Sequence, residues 1–482
     1  MSPPPVSTGM PLCRSSFLSR SNMRLKAPSL SASSYPATVA RISRAVRYRR
    51  VDSRQITRLS WRSVFFLDIG GPYLPASPRA AEAAFSPEGT VISVIRWREG
   101  RVLGTGREWP GAIELEVRLG PGLGDASGDP AAGPPPGASA GGGTDTGGTA
   151  ATCRALAYTD LVGSPEEGDR VLLNTTALDL GLGTGGYAMV VALPDRLPPD
   201  APTPGHLVKA RYTPVQAAVL GADGQDAPTH RLLRDAESVD GMPVVTADLH
   251  SALPAVLAGA HLERPGLRTV YVMLDGGALP AAFSRTVAVL REAGLLTASV
   301  TTGQAFGGDL EAVTVHSGLL AARHVLGADL AVVAQGPGNL GTGTPWGFSG
   351  VAAGEAVNAA SVLGGRPVAA LRVSEADARE RHRGVSHHSL TAYGKVATAR
   401  ADVPVPVLPG AFGERVAAEA APLGERHRLV EVSVDGLEEA LRDLPLRLST
   451  MGRTLEEDRA CFLASAAAGR HAARLVGARP RG

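Results

Sequence analysis

Two adjacent histidines are the clearest candidates for acid–base chemistry in the sequence. His387 and His388 end the segment His-Arg-Gly-Val-Ser-His-His, and Lys395 follows seven residues later. Imidazole titrates near neutral pH, so it can donate a proton, accept one or bind a metal. We predict that His387 or His388 is the acid–base group and that Lys395 attracts an anion. Structural histidines and a solvated lysine are the alternatives.

A glycine-rich segment, residues 335–350, provides the second candidate. It reads Gln-Gly-Pro-Gly-Asn-Leu-Gly-Thr-Gly-Thr-Pro-Trp-Gly-Phe-Ser-Gly and lies between an apolar run and a helical pattern. Glycines let the backbone approach an anion closely. The segment matches G-x-G-x-x-G, but the same match occurs within residues 181–186. The pattern therefore favours a general anion-binding loop over a dinucleotide site. A structural turn is the alternative. The predicted ligand-binding residues are Gly336, Gly338, Asn339, Gly341, Thr342, Gly343, Thr344 and Gln304.

Four further acidic and histidine residues could bind a metal. Asp248 and His250 follow one apolar run, and Asp275 and His316 follow neighbouring ones. Carboxylates and imidazoles from separate strand ends can converge on one ion. No H-E-x-x-H motif is present, so this set is a hypothesis. The alternative is that Asp248 caps the next helix and that His250 lies on that helix, partly exposed.

Several functional classes are excluded by missing motifs. The sequence contains neither G-x-x-x-x-G-K-[ST] nor G-x-S-x-G. Its three cysteines, Cys13, Cys153 and Cys461, form no C-x-x-C pair, which favours a reducing cytoplasm. No run approaches 18 apolar residues, so we expect no membrane partner.

Charge is distributed unevenly along the 482 residues. The net charge is +2, but residues 1–90 contain 13 basic and 4 acidic residues, and the remainder contains 35 and 42. That remainder has no basic stripe, which argues against a nucleic-acid partner. Residues 1–90, rich in Ser, Arg and Pro, are predicted to be disordered or to precede the true start of translation; a transit peptide is the alternative.

Short apolar and alternating runs predict a small all-β domain, a barrel or sandwich, over residues 91–193. Eleven glycines and five prolines in residues 120–150 predict a flexible insert within it. Residues 194–204 are predicted to be a proline-rich hinge. The predicted strands are Val91–Trp97, Arg101–Thr105, Ala112–Val117, Arg154–Tyr158, Arg170–Asn174 and Ala188–Leu193.

Residues 205–482 alternate between strand and helix patterns, which predicts a larger α/β domain with a mostly parallel sheet. Leu455–Val476 is predicted to be a closing amphipathic helix. The carboxyl ends of the strands should carry the ligand site. The candidate residues described above lie in the loops that follow these predicted strands, Pro243–Ala247, Thr269–Leu274, Thr297–Thr301, Asp329–Ala334, Pro367–Leu371, Val403–Leu408 and Leu429–Val434.

From about Val94 onward, the chain resembles a family of bacterial proteins known as domain of unknown function 3866. The resemblance implies the same two-part architecture and a start near Val94, and it implies no activity. Residues 1–90 and the insert depart from the family pattern. The resemblance depends on Ile95–Arg98, Arg107–Gly111, Gly168–Val171, Asn174–Thr176, Asp179–Gly186, Asp248–Ser251, Gly303–Gly308, Gly336–Gly350 and Arg381–Ser389.

The sequence therefore predicts a cytoplasmic protein that binds a small anionic metabolite, and an enzyme that uses histidine acid–base chemistry is one form of this prediction. A metal-dependent hydrolase is the first alternative, with His387 and His388 added to the ligand pool. A non-catalytic binding or assembly module is the second. The sequence determines neither the cofactor nor the oligomeric state.

Overall fold

The computed structural model of the chain describes residues 94–122, 151–183, 185–200, 202 and 205–477. The predicted extension, residues 1–90, and most of the predicted insert lie outside these ranges. The predicted fold class is confirmed, because a small closed β-barrel precedes an α/β domain with a parallel sheet.

Five strands close the barrel in the order β1-β2-β3-β5-β4, and β4 pairs with β1. All neighbouring strands are antiparallel except β3 and β5. In β2 every second residue, Ile113, Leu115 and Val117, is buried, because alternate side chains of a strand face the same side. The strands are β1 (Trp97–Trp109), β2 (Ala112–Gly122), β3 (Thr152–Tyr158), β4 (Arg170–Asn174) and β5 (Ala188–Ala192).

The α/β domain contains a parallel eight-stranded sheet in the order β11-β10-β9-β12-β8-β13-β16-β17. Its central strands are buried along their whole length, as expected where helices cover both faces. The remaining short strands form three antiparallel hairpins. In chain order the strands are β6 (Leu207–Lys209), β7 (Ala217–Val219), β8 (Pro243–Thr246), β9 (Thr269–Leu274), β10 (Ala298–Thr301), β11 (Leu310–Glu311), β12 (Leu330–Gln335), β13 (Arg366–Ala369), β14 (Val373–Ser374), β15 (Gly384–Val385), β16 (Asp402–Val407), β17 (Arg428–Ser433), β18 (Ser449–Thr450) and β19 (Arg453–Thr454).

Helices cover both faces of the sheet. The described helices are α1 (Thr159–Val162), α2 (Thr176–Asp179), α3 (His230–Leu233), α4 (Leu253–Glu263), α5 (Arg285–Glu292), α6 (Val315–His324), α7 (Ala352–Val362), α8 (His387–Thr391), α9 (Gly410–Ala420), α10 (Leu437–Arg442) and α11 (Arg459–Leu475). Helices α4 and α11 share one core with the sheet, and α6 and α7 share the other. Helices α4 and α11 pack closely because α11 has a glycine, Gly469, at their contact. A Cβ at this position would clash with the Val256 carbonyl of α4. No described helix has both the length and the apolar character that a membrane span requires.

A buried ion pair fastens the β6–β7 hairpin to the sheet. The Lys209 side chain is fully buried, and its Nζ lies 3.4 Å from Glu311 Oε2. The same Nζ donates hydrogen bonds to the carbonyls of Ala305 and Ala312, each at 2.9 Å. Burial lowers the pKa of Lys209 and raises that of Glu311, because both charged forms lose hydration.

The central strand β8 marks the place where the winding of the sheet changes direction. Strands β9, β10 and β11 extend the sheet to one side of it, and β13, β16 and β17 extend it to the other. Ligands of open α/β sheets bind beyond the carboxyl ends of strands at such a position. Three polar residues lie there: Asp248 after β8, Gln335 at the end of β12, and Arg372 after β13.

Candidate metal centre

Three histidines come together beyond this edge of the sheet. His382, His387 and His388 each offer one ring nitrogen, and these atoms lie within 4.8 Å of one another. The ring centroids are 4.9 Å apart for His382 and His387, 4.9 Å for His382 and His388, and 4.2 Å for His387 and His388. We call these residues the histidine triad. Within the described ranges it is the one group of three or more His, Cys, Asp or Glu side chains arranged to hold a metal.

Ser386 organises the triad. The β14–β15 hairpin places His382 in a 3₁₀ turn and Ser386 at the N-cap of α8, directly before the other two histidines. Ser386 Oγ lies 2.8 Å from His382 Nδ1 and accepts a hydrogen bond from the His388 N–H at 3.3 Å. A hydrogen bond to one ring nitrogen orients an imidazole and leaves the other nitrogen for a ligand.

The triad is neutral near pH 7. Burial lowers the pKa of His382 and of His388 to about 3, and it also lowers the pKa of His387. Neighbouring positive groups, Arg372 among them, add to each of these shifts. Neutral imidazole retains the lone pair that a metal requires.

Several triad nitrogens have no protein partner. His387 Nε2 and both ring nitrogens of His388 are buried and make no hydrogen bond. A neutral imidazole has one N–H donor and one lone-pair acceptor, so His388 leaves both unused. Buried polar atoms are rarely left unpaired, because each costs free energy unless a ligand or water completes it.

The glycine-rich loop covers the triad on one side. Phe348 stacks on His388 with ring centroids 3.8 Å apart and an interplanar angle of 5°. A Cβ on Gly343 would lie 3.7 Å from Arg381 Nη2, and Lys395 Nζ lies 5.7 Å from the Trp346 ring centre. The predicted histidine and glycine-rich segments therefore lie against each other. Lys395 is exposed, in a π-helical turn that follows α8 directly.

Most of the predicted ligand-binding residues of this loop are exposed, and Thr342 and Thr344 bond within the loop. The Thr342 N–H donates to the Gly347 carbonyl at 2.8 Å, and the Gly347 N–H donates to Thr344 Oγ1 at 3.0 Å. These donors are occupied and cannot also hold an anion. Gly336 is buried beside β12, whereas Gly338, Asn339, Gly341 and Gly343 are exposed.

Asp248 lies close to Arg372. It is 3% exposed, its Oδ2 has no hydrogen-bond partner, and it lines a small enclosed hollow together with Arg372 and Cys461. Burial raises its pKa, and the nearby Arg372 guanidinium opposes that shift. Asp248 thus shares the site region without belonging to the triad.

The other predicted metal ligands lie outside the triad. His250 bonds to the Tyr271 hydroxyl at 3.1 Å and to Ser284 Oγ at 2.7 Å. Asp275 is exposed and accepts a hydrogen bond from the Gln304 N–H at 2.8 Å. Gln304 Oε1 in turn accepts from the Arg211 N–H at 2.9 Å, so this residue links two loops. His316 is exposed on α6.

The bonded, half-buried state of His250 predicts a pH-dependent stability. Burial lowers its folded pKa to about 4, whereas an unfolded histidine titrates near 6.5. Between these two pKa values the unfolded chain binds a proton at His250 more tightly than the folded chain does. The stabilisation of the fold by neutral His250 is therefore complete above pH 7 and declines as the pH falls towards 4. We expect His250 to account for about 1–2 kcal/mol of the loss in unfolding free energy between pH 7 and pH 5. Urea unfolding of wild type and of His250→Gln at both pH values measures this contribution. Equal losses of unfolding free energy in the two proteins would contradict the prediction.

Among the contributors to the site that the sequence did not predict as site residues are His382, Ser386 and Arg372. The first two lie in the same short segment as His387 and His388. The four-residue separation of His382 and Ser386 is the feature of the sequence that could have identified them. Arg372 follows a predicted strand. The chain has 45 arginines against three lysines, however, so no single arginine is distinctive in the sequence. Its proximity to the triad becomes apparent only in the folded chain.

Comparison with protein families gives one match. The family model described as Protein of unknown function (DUF3866) matches residues 154–469, about two thirds of the chain. No curated protein matches the chain. No solved structure matches it either.

Proposed function

The chain belongs to the family of proteins of unknown function DUF3866, so we propose a function from its own residues. We propose that it is a metal-dependent hydrolase of a small anionic substrate. The histidine triad would hold one divalent cation, and the arginine side chains beside it would attract the substrate.

The observation that carries this proposal is the set of buried, unpaired imidazole nitrogens. Three ring nitrogens from different side chains lie within 4.8 Å, and two of the rings have nitrogens that bond to nothing in the described protein. Two nitrogens bound to one tetrahedral zinc ion lie about 3.4 Å apart. Small side-chain rotations would bring the triad to that spacing, and Ser386 already orients one ring.

The surroundings favour metal ligation over proton transfer by His387 and His388. A general acid or base works best when its pKa lies near the working pH. Burial among cationic neighbours keeps these rings neutral at that pH. Neutral rings serve as ligands, and three protein ligands leave a coordination position open for water or substrate.

The chain's own residues would divide the remaining tasks. His382, His387 and His388 would each supply one ring nitrogen, and Ser386 holds His382 in place. Phe348 covers one face of His388 and excludes water from it. A divalent cation held by these three histidines would lower the pKa of water and so would supply a nucleophile near neutral pH.

Metal-dependent hydrolysis tests this proposal. The protein is stripped with a chelator and refilled separately with Zn²⁺, Mn²⁺ or Co²⁺. Each form is then assayed for nitrophenol release from a panel of nitrophenyl phosphate and nitrophenyl carboxylate esters. We expect hydrolysis that requires metal and is lost in His388→Ala. Hydrolysis by the stripped protein at the refilled rate, or no hydrolysis of any ester by any refilled form, would contradict the proposal.

A further inference from the structure

Arg372 is a buried cation beside the triad with unused hydrogen-bonding capacity. The residue is 7% exposed, and its Nη2 is buried with no hydrogen-bond partner. Its backbone is fixed to the triad segment, because its N–H donates to Ser389 Oγ at 2.9 Å and its carbonyl accepts from the Ser386 N–H at 2.8 Å. A buried guanidinium is costly unless an anion or acceptor completes it.

Asp377 forms an ion pair with Arg372 but no hydrogen bond. Asp377 Oδ2 lies 4.0 Å from Arg372 Nη2, beyond hydrogen-bond distance. The same oxygen already accepts from Arg379 at 2.9 Å and from Arg453 at 3.1 Å. Asp248, the other acid of this region, forms no ion pair with Arg372 among the described residues. Arg372 therefore has one donor available for a ligand.

Two more cations lie at the opening of the site. Arg381 is exposed beside the glycine-rich loop, and Lys395 is exposed over Trp346. In the described part of the chain neither forms an ion pair with a carboxylate, whereas the neighbouring Arg383 and Arg415 both contact Glu380. Arg381 and Lys395 thus lie beside the glycine-rich loop with no ion pair to a carboxylate of the described chain.

We propose that Arg372 anchors the phosphoryl group of a phosphate monoester, with Arg381 and Lys395 attracting it at the opening. This inference rests on the proposed function for the metal and adds the substrate class. Three cations that form no hydrogen bond with a carboxylate of the described chain match a dianion better than a singly charged carboxylate. The planar guanidinium is suited to the oxygens of phosphate and forms strong charge-assisted hydrogen bonds with them.

Calorimetric titration with inorganic phosphate tests the inference on the full chain loaded with Zn²⁺. We expect phosphate to bind at least 10-fold more tightly than acetate. Arg372→Gln should weaken phosphate binding about 100-fold, and Arg372→Lys, which retains the charge but loses the planar group, about 10-fold. Arg383→Gln is the matched control, and it should leave phosphate binding within 2-fold of wild type.

Zinc content, measured on the same samples, separates the two proposals. One zinc per chain together with phosphate binding that is unchanged in Arg372→Gln would overturn the role of Arg372 and leave the metal site standing. Acetate binding as tightly as phosphate would overturn the phosphoryl assignment.

If both Arg372 variants fail to fold, the double variant Arg381→Gln with Lys395→Met tests the inference instead. It should weaken phosphate binding 3-fold or more. No effect of that double variant would also count against the inference.

Discussion

Replacing His388 with alanine should weaken zinc binding at least 100-fold. The His388 ring stacks on both His387 and Phe348. Both of its nitrogens are buried and have no hydrogen-bond partner. Removing one of three ligands costs more than removing an outer-shell partner, which typically costs 10- to 100-fold. Competition with a zinc indicator, on protein whose circular dichroism matches wild type, measures the change.

His316→Ala is the control for this result. His316 is exposed on α6 and is not a member of the triad. Its replacement should leave zinc affinity within 2-fold of wild type. The opposite pattern, tight binding in His388→Ala and loss in His316→Ala, would contradict the assignment of the triad as the metal site.

Replacing Lys209 with methionine should lower the free energy of unfolding by about 3–5 kcal/mol. The change leaves the buried Glu311 carboxylate without its ion-pair partner and removes the donor to the carbonyls of Ala305 and Ala312. Methionine fills much of the same volume, so the loss reports the charge and its hydrogen bonds. Urea unfolding at pH 7 measures it.

Two further variants separate the ion pair from a general effect of the substitution. Adding Glu311→Gln removes the unpaired charge while retaining groups that can bond to Thr301 and Gly307, so we expect partial recovery, by about 2 kcal/mol. Lys395→Met changes an exposed lysine and should shift stability by less than about 0.5 kcal/mol. Equal losses in Lys209→Met and Lys395→Met would contradict the prediction.

The fold could be predicted from local patterns because each element carries its own signal. Alternating residues such as Ile113, Leu115 and Val117 predict a half-buried strand, and they line the barrel interior. Apolar runs separated by helical patterns predict a parallel sheet, and all eight strands of the sheet are parallel. The predicted closing helix, Leu455–Val476, is observed as Arg459–Leu475.

The composition of the site was less accessible, because it depends on contacts between distant segments. His387 and His388 are adjacent in sequence, and the glycine-rich loop is recognisable by composition, but their contact through Phe348 depends on tertiary packing. The same holds for Arg372, whose Nη2 lacks a hydrogen bond, which is evident only when the positions of Asp377, Arg379 and Arg453 are known. Sequence spacing carries no information about which buried atoms lack partners.

The arrangement also explains why the site lies where it does. Strand β8 is central, and the loops that follow β8, β12 and β13 meet beside it. Those loops contribute Asp248, the glycine-rich loop and Arg372 with the triad segment. One structural feature, the reversal of winding at β8, thus brings together residues more than a hundred positions apart in sequence.

The most direct test of the central claim is a crystal structure of the zinc-loaded protein with data collected at the zinc absorption edge. The account predicts one strong anomalous peak about 2.1 Å from a ring nitrogen of each of His382, His387 and His388. A peak at Asp275 or His316, or no peak at the triad in crystals soaked with saturating zinc, would contradict it.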